Sequence, residues 1–312
     1  MRIALACLGY LIVLIFLGKF AYSSKLTIDE ANMTISVSYF LSAFLIIFFA
    51  FFFQVAAWKK TFSMYGIFFS HSTNLNIYTM AVLSAYIPGK IPGIIITANA
   101  AAKMGASRVV ASIAMLVYQL MSLISAGTLA VIIFVFVSQK QTNSIFIMFL
   151  IFIISSCLVL IRQNTLNWLM KSVMNLLKRG PHVAIEASYQ QKVALFSLFF
   201  VAWSLVSCAI GLLYCAIADP APINVLMLVS AIFLVSQISG SLIFILPSGM
   251  GVYEIIFYFS LVSFFPEKQL IALVALSRVL LVSPSILVYV ITSFWLNIQY
   301  RRDRKRKGLV TK

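Results

Sequence analysis

The run Ile245-Leu-Pro-Ser-Gly-Met-Gly251-Val-Tyr-Glu254 interrupts an apolar stretch extending from Val225 to Phe265. Proline removes a helical hydrogen bond and glycine lets the backbone leave helical geometry, so one unbroken helix is not expected here. On its C-terminal side, Ile255 to Phe265 holds only 11 residues, against the about 20 that a crossing helix needs. Irregular backbone at membrane depth must be buried in protein or line a wet cavity. Whether this segment crosses or turns back depends on which side of the membrane its neighbours occupy.

Composition supports the membrane setting. The 312 residues are 62% hydrophobic and 10% charged, with 23 Lys and Arg against 7 Asp and Glu for a net charge of +16. A soluble domain carries about 25% charge, so a cytosolic enzyme is excluded. A nucleic-acid partner is not expected, because the few bases leave no room for a continuous basic face. The apolar runs are continuous, which argues against the period-two alternation of a transmembrane barrel.

Six runs have crossing length: Ile3 to Tyr22, Val37 to Ala57, Val109 to Val137, Ile145 to Ile161, Val193 to Ile217 and Leu270 to Ile298. Two more are broken by Pro and Gly: Leu75 to Ala102, around Tyr86-Ile-Pro-Gly-Lys-Ile-Pro-Gly93, and Val225 to Phe265. Sorting the bases by loop puts 17 on one side and 3 (Lys25, Lys140 and Lys268) on the other. Basic loops face the cytoplasm, so both termini are expected there, in a cytoplasmic (inner) membrane. Lys59, Lys60, Lys103 and Arg108 then lie on one side, and Leu75 to Ala102 must enter and leave by the same face. The loops at Asp219 and at Pro266-Glu-Lys268 are both external, which demands the same of Val225 to Phe265. The expected fold is an all-α polytopic membrane protein with about six full spans and two oppositely oriented broken or re-entrant hairpins, the alternative for each being a Pro-kinked pair of ordinary spans. Residues 1–300 form one membrane domain and residues 301–312 a basic cytoplasmic tail.

Between the spans there is little to build on. The external loops are short, so activity must reside in the membrane or at its surface. Within Arg162 to Lys192, Leu166, Leu169, Met170, Val173, Leu176 and Leu177 recur at helical spacing opposite Asn167, Lys171, Asn175 and Lys178. That pattern fits a helix lying in the inner interface against anionic lipids, with Trp168 at the boundary. The tail Arg301-Arg-Asp-Arg-Lys-Arg-Lys307 reads as a topological anchor. Cys7, Cys157, Cys208 and Cys215 fall inside apolar runs, and His71 and His182 are isolated, so neither a metal nor another cofactor is expected.

Ionisable groups at membrane depth are costly and therefore informative. Glu254 sits at the start of the second half of its broken segment, where a carboxylate also complements the helix dipole. Arg278 lies eight residues inside the last apolar run, about 12 Å along its axis. An Arg there needs a counter-charge, and Glu254 is the acid available, so a Glu254–Arg278 pair is expected. Lys90 stands between Pro88-Gly89 and Pro92-Gly93. In an opened turn it could hold a phosphate, or it could snorkel to lipid.

Together these residues carry a resemblance. Pro247-Ser-Gly-Met-Gly251-Val-Tyr-Glu254, followed by Ala275-Leu-Ser-Arg278, is similar to the P-x-G-x-G-x-x-E…R signature of the lysylphosphatidylglycerol synthase transmembrane-region family of flippase-like proteins. Tyr86-Ile-Pro-Gly-Lys-Ile91 and Lys103-Met-Gly105-Ala-Ser107 resemble that family's other turn, except that Pro92-Gly93 replaces the Gly-Glu of many members. The resemblance implies a domain that passes lipids or lipid-linked sugars between leaflets. In two-part members a soluble aminoacyl transferase follows, and ending at Lys312 this chain is expected to lack it. The oppositely oriented hairpins fit an inverted repeat, from which alternating access is expected.

The functional expectation is a lipid or lipid-linked glycan translocase, not an enzyme, with no catalytic or metal residues. An anionic phosphate head, from a membrane lipid or a prenyl-phosphate sugar, would be held by Lys90, Arg278 with Glu254, and backbone near Gly249 and Gly251 in the Pro247 and Pro88-Gly89 turns. Two alternatives stand beside it. One is a glycosyltransferase using an external acid among Asp29, Glu30, Asp219 and Glu267; the other is a scaffold binding cell-envelope assembly proteins.

Overall fold

The computed structural model describes residues 35–86, 91–137, 188–218, 220–243 and 247–306. Among them are eight α-helices and no strand. They are α1 (Val37–Ser63), α2 (His71–Ser84), α3 (Ile91–Lys103), α4 (Arg108–Val137), α5 (Tyr189–Ile217), α6 (Ile223–Leu242), α7 (Val252–Leu261) and α8 (Glu267–Arg306), with a 3-10 turn at Pro247–Gly249 before α7. The apolar runs at Ile3 to Tyr22 and Ile145 to Ile161, the interfacial pattern up to residue 187, residues 87–90, Asp219 and residues 307–312 lie outside the described residues.

Four of the long apolar runs become α1, α4, α5 and α8, each long and apolar enough to cross a membrane. The fifth helix of that kind is α6, the first limb of the Val225–Phe265 segment, at 20 residues. The second limb, α7, has 10 residues. The other broken segment forms α2 and α3, of 14 and 13 residues, packed against each other. The breaks therefore fall where Pro and Gly were read, though α6 is longer than a half-crossing needs. α8 continues as helix through Arg306, so the basic run begins within it.

Local rules explain the ends. Ser70 caps α2 through its hydroxyl, which accepts from the Thr73 N–H. Ser188 and Gln191 form a reciprocal capping box at the start of α5. Pro284 lies inside α8 and cannot donate to the Leu280 carbonyl; the Ser283 hydroxyl donates to that carbonyl instead, at 2.9 Å.

Packing divides the interior. α1 runs against α5, and α4 against α5 and α6. One apolar core gathers Ile47, Leu129, Ile210, Phe233, Tyr253 and Leu273 around α6 and α7. A second gathers Phe51, Trp58, Phe62, Ile77, Tyr78 and Val288 around α2. Each broken segment thus has its own core, and α1 and α8 contribute to both. The outer face of α1 presents Val37, Leu41, Leu45 and Phe49 at four-residue spacing, all exposed. A large apolar stripe of this kind suits hydrocarbon rather than water.

Candidate head-group site

The second break is built from unusual backbone. Ser248, Gly249 and Gly251 all have positive φ, at 47°, 69° and 85°. For Gly249 the requirement is double, since a Cβ there would meet the backbone of Gly240 on α6. The Gly240–Gly249 contact is how the turn lies flat on α6.

This turn aims the charges. Gly251 precedes α7, and its N–H donates to Glu254 Oε2 at 2.7 Å. That hydrogen bond commits the Gly251 amide to holding the carboxylate. The other oxygen, Oε1, accepts from Arg278 Nε at 2.8 Å. Glu254 is therefore both the helix-start residue and the counter-ion, the two roles that sequence left open. Arg278 also donates through NH1 to the Ser248 carbonyl at 3.3 Å. Its guanidinium lies 4.0 Å from the centre of the Tyr253 ring, a favourable cation–π geometry. Tyr253 is fixed in turn by a 2.7 Å hydrogen bond between its hydroxyl and that of Ser277.

One guanidinium nitrogen is left over. Arg278 is only 5% exposed, and its NH2 has no hydrogen-bond partner among the described residues. Arg278 lines a cavity of about 300 Å³, bounded also by Tyr86 at the end of α2, Gly93 of α3, Ser248 of the turn, and residues of α1, α4, α5 and α6. The cavity lies where the two broken segments meet, because the Ser248 N–H donates to the Ala85 carbonyl at 2.7 Å.

The remaining wall was not singled out from sequence. It includes Gln54, Trp58, Tyr78, Tyr118, Gln119, Trp203 and Gln237. The signal available was three glutamines inside apolar runs, overlooked beside the charges. The Tyr78 hydroxyl donates to Gln54 Oε1 at 2.8 Å, and Trp203 Nε1 donates to the Ser122 hydroxyl at 3.1 Å. Of the residues expected to bind, Arg278, Glu254 and Gly251 are joined by hydrogen bonds beside the turn that holds Pro247 and Gly249, and Arg278 is the one among them that lines the cavity. Pro88, Gly89 and Lys90 lie outside the described residues.

An all-helical bundle with several helices of crossing length, around a buried ion pair and a cavity, defines a polytopic membrane protein. The sequence pattern of the lysylphosphatidylglycerol synthase TM region matches residues 2–288, and the chain belongs to that family. No curated protein matches the chain.

Proposed function

We propose that this protein moves a lipid with an anionic head group between the leaflets of the cytoplasmic membrane, without covalent chemistry. The observation that carries the reading is Arg278, a buried guanidinium with one unengaged nitrogen, in a residue that lines a largely apolar cavity between the two broken segments. An isolated cation at that depth is costly, and Glu254 neutralises it without consuming all five donors. A phosphate or similar anion completes the fork. Family membership supports a lipid-related role. In the topology expected from the loop charges the two broken segments enter from opposite faces, and their contact at Ala85 and Ser248 then suits alternating access. From its place in the sequence, four positions beyond Tyr86, Lys90 is proposed as a second cation for the same anion.

The test is transport. Purified full-length protein in vesicles should accelerate dithionite-accessible movement of a fluorescent phosphatidylglycerol or prenyl phosphate, and Arg278→Gln should remove most of the acceleration. No acceleration across a broad panel of anionic lipids would end this reading.

A further inference from the structure

Arg278 NH2 is not alone: Trp58 Nε1, in a residue 2% exposed, also lacks a partner among the described residues, and Trp58 lines the same cavity as Arg278. A buried donor without a partner is a standing cost, so two on one cavity mark places where a bound acceptor is gained. Both nitrogens are closed off from solvent in this conformation, so a ligand meets them only as the wall opens.

Around these donors the chemistry is of two kinds. At the Arg278 end it is cationic. Elsewhere it is aromatic and carboxamide: Trp58, Tyr78, Tyr118 and Trp203 with Gln54 and Gln119. The rings are set edge to face, with Trp58 to Tyr118 at 5.1 Å and Trp58 to Tyr78 at 5.5 Å between centroids. No carboxylate lines the cavity among the described residues, and Glu254 is committed to Arg278 and Gly251. A head group carrying ammonium groups would face Arg278 with no acid to receive it, and only aromatic faces to offset that repulsion. A neutral ring bearing hydroxyls suits the wall better: hydroxyls both donate and accept, as indole and carboxamide require, and C–H faces stack on aromatic rings.

We infer that the cavity takes two parts of one head group, with Arg278 on a phosphate and Trp58, Gln119 and their neighbours on a neutral hydroxylated ring. The substrate is then a lipid-linked sugar or cyclitol phosphate, not an aminoacylated lipid. This rests on the reading of Arg278 as the phosphate contact. A site built to bond hydroxyls discriminates against ligands that lack them.

Binding rather than transport tests it. Full-length protein in mixed micelles is loaded with a fluorescent prenyl phosphate and displaced by five unlabelled lipids. They are a prenyl-phosphate hexose, bare prenyl phosphate, phosphatidylinositol, phosphatidylglycerol and lysyl-phosphatidylglycerol. At least one ring-bearing lipid should displace about tenfold better than its ringless counterpart, the yield of roughly two net hydrogen bonds. Which of the two does so identifies the tail. Trp58→Phe and Gln119→Leu should each narrow that ratio to about twofold. Equal binding of ring-bearing and ringless lipids by the wild-type protein overturns the inference, as does tighter binding of lysyl-phosphatidylglycerol than phosphatidylglycerol. Either result, with phosphatidylglycerol still transported, leaves the proposed function standing.

Discussion

Ser248 and Ala85, 163 positions apart in sequence, share a backbone hydrogen bond of 2.7 Å that joins the turn before α7 to the end of α2. The carbonyl of the same Ser248 accepts from Arg278. One residue therefore connects one broken segment, the other broken segment and the buried cation, while holding a φ of 47°. A left-handed conformation costs a non-glycine residue about 1 kcal/mol. Ser248→Gly should keep both backbone bonds and raise thermal stability in detergent slightly. Ser248→Val, β-branched at positive φ, should lower it. An unchanged melting temperature in both variants would show that this turn does not limit stability.

The two nearby glycines should not behave alike. A Cβ on Gly249 would collide with the Gly240 carbonyl oxygen, and backbone on both sides cannot yield. A Cβ on Gly251 meets nothing within 4 Å, so its substitution costs only the strain of φ 85°. Gly249→Ala is expected to cost over about 3 kcal/mol and Gly251→Ala about 1–2 kcal/mol, measured as unfolding in mixed micelles. The reverse order would contradict the packing described.

Removing one partner of a buried ion pair costs about 3–5 kcal/mol, because the other charge stays behind. Arg278→Met and Glu254→Gln should each destabilise, and the double variant should be at least about 2 kcal/mol better than their sum in a double-mutant cycle. Exchanging the charges should rescue poorly. An Arg at position 254 would oppose the dipole at the start of α7 and leave the Gly251 N–H without its acceptor. Full rescue by the swap would mean that only net charge matters.

Topology is open to direct labelling. In a cysteine-free background, Lys59→Cys and Lys103→Cys should react with an impermeant maleimide from one side and Lys268→Cys from the other. All three positions are exposed. Labelling of Lys59→Cys and Lys103→Cys from opposite sides would make α2 and α3 a full crossing.

Much of the architecture was legible because its cause is local. Length and apolarity define α1, α4, α5 and α8, and Pro and Gly define both breaks. The Glu254–Arg278 pair was legible because charges at depth are few and need each other. The double use of Glu254 was narrowed to two roles, and the backbone shows that one side chain fills both. The aromatic and glutamine wall was not legible. Gln54, Trp58, Tyr118, Gln119 and Trp203 come from α1, α4 and α5, and no periodicity along one helix says which faces converge. Nor does sequence reveal that Gly249 meets Gly240, since that contact is set by how the turn folds back on α6.

The satisfied carbonyl at Leu280 has a mechanical consequence. Toward its start, α8 places Leu273 and Arg278 with the core around α6 and α7. Toward its end, Val288 packs in the core around α2, and Asn76 donates to the Ser293 hydroxyl at 3.1 Å. Pro284 falls between these attachments, and Ser283 already occupies the carbonyl that a bend would bare. α8 is thus one shaft shared by both cores, and at Pro284, where a helical hydrogen bond is already missing and its carbonyl already served, a bend costs less than elsewhere along it.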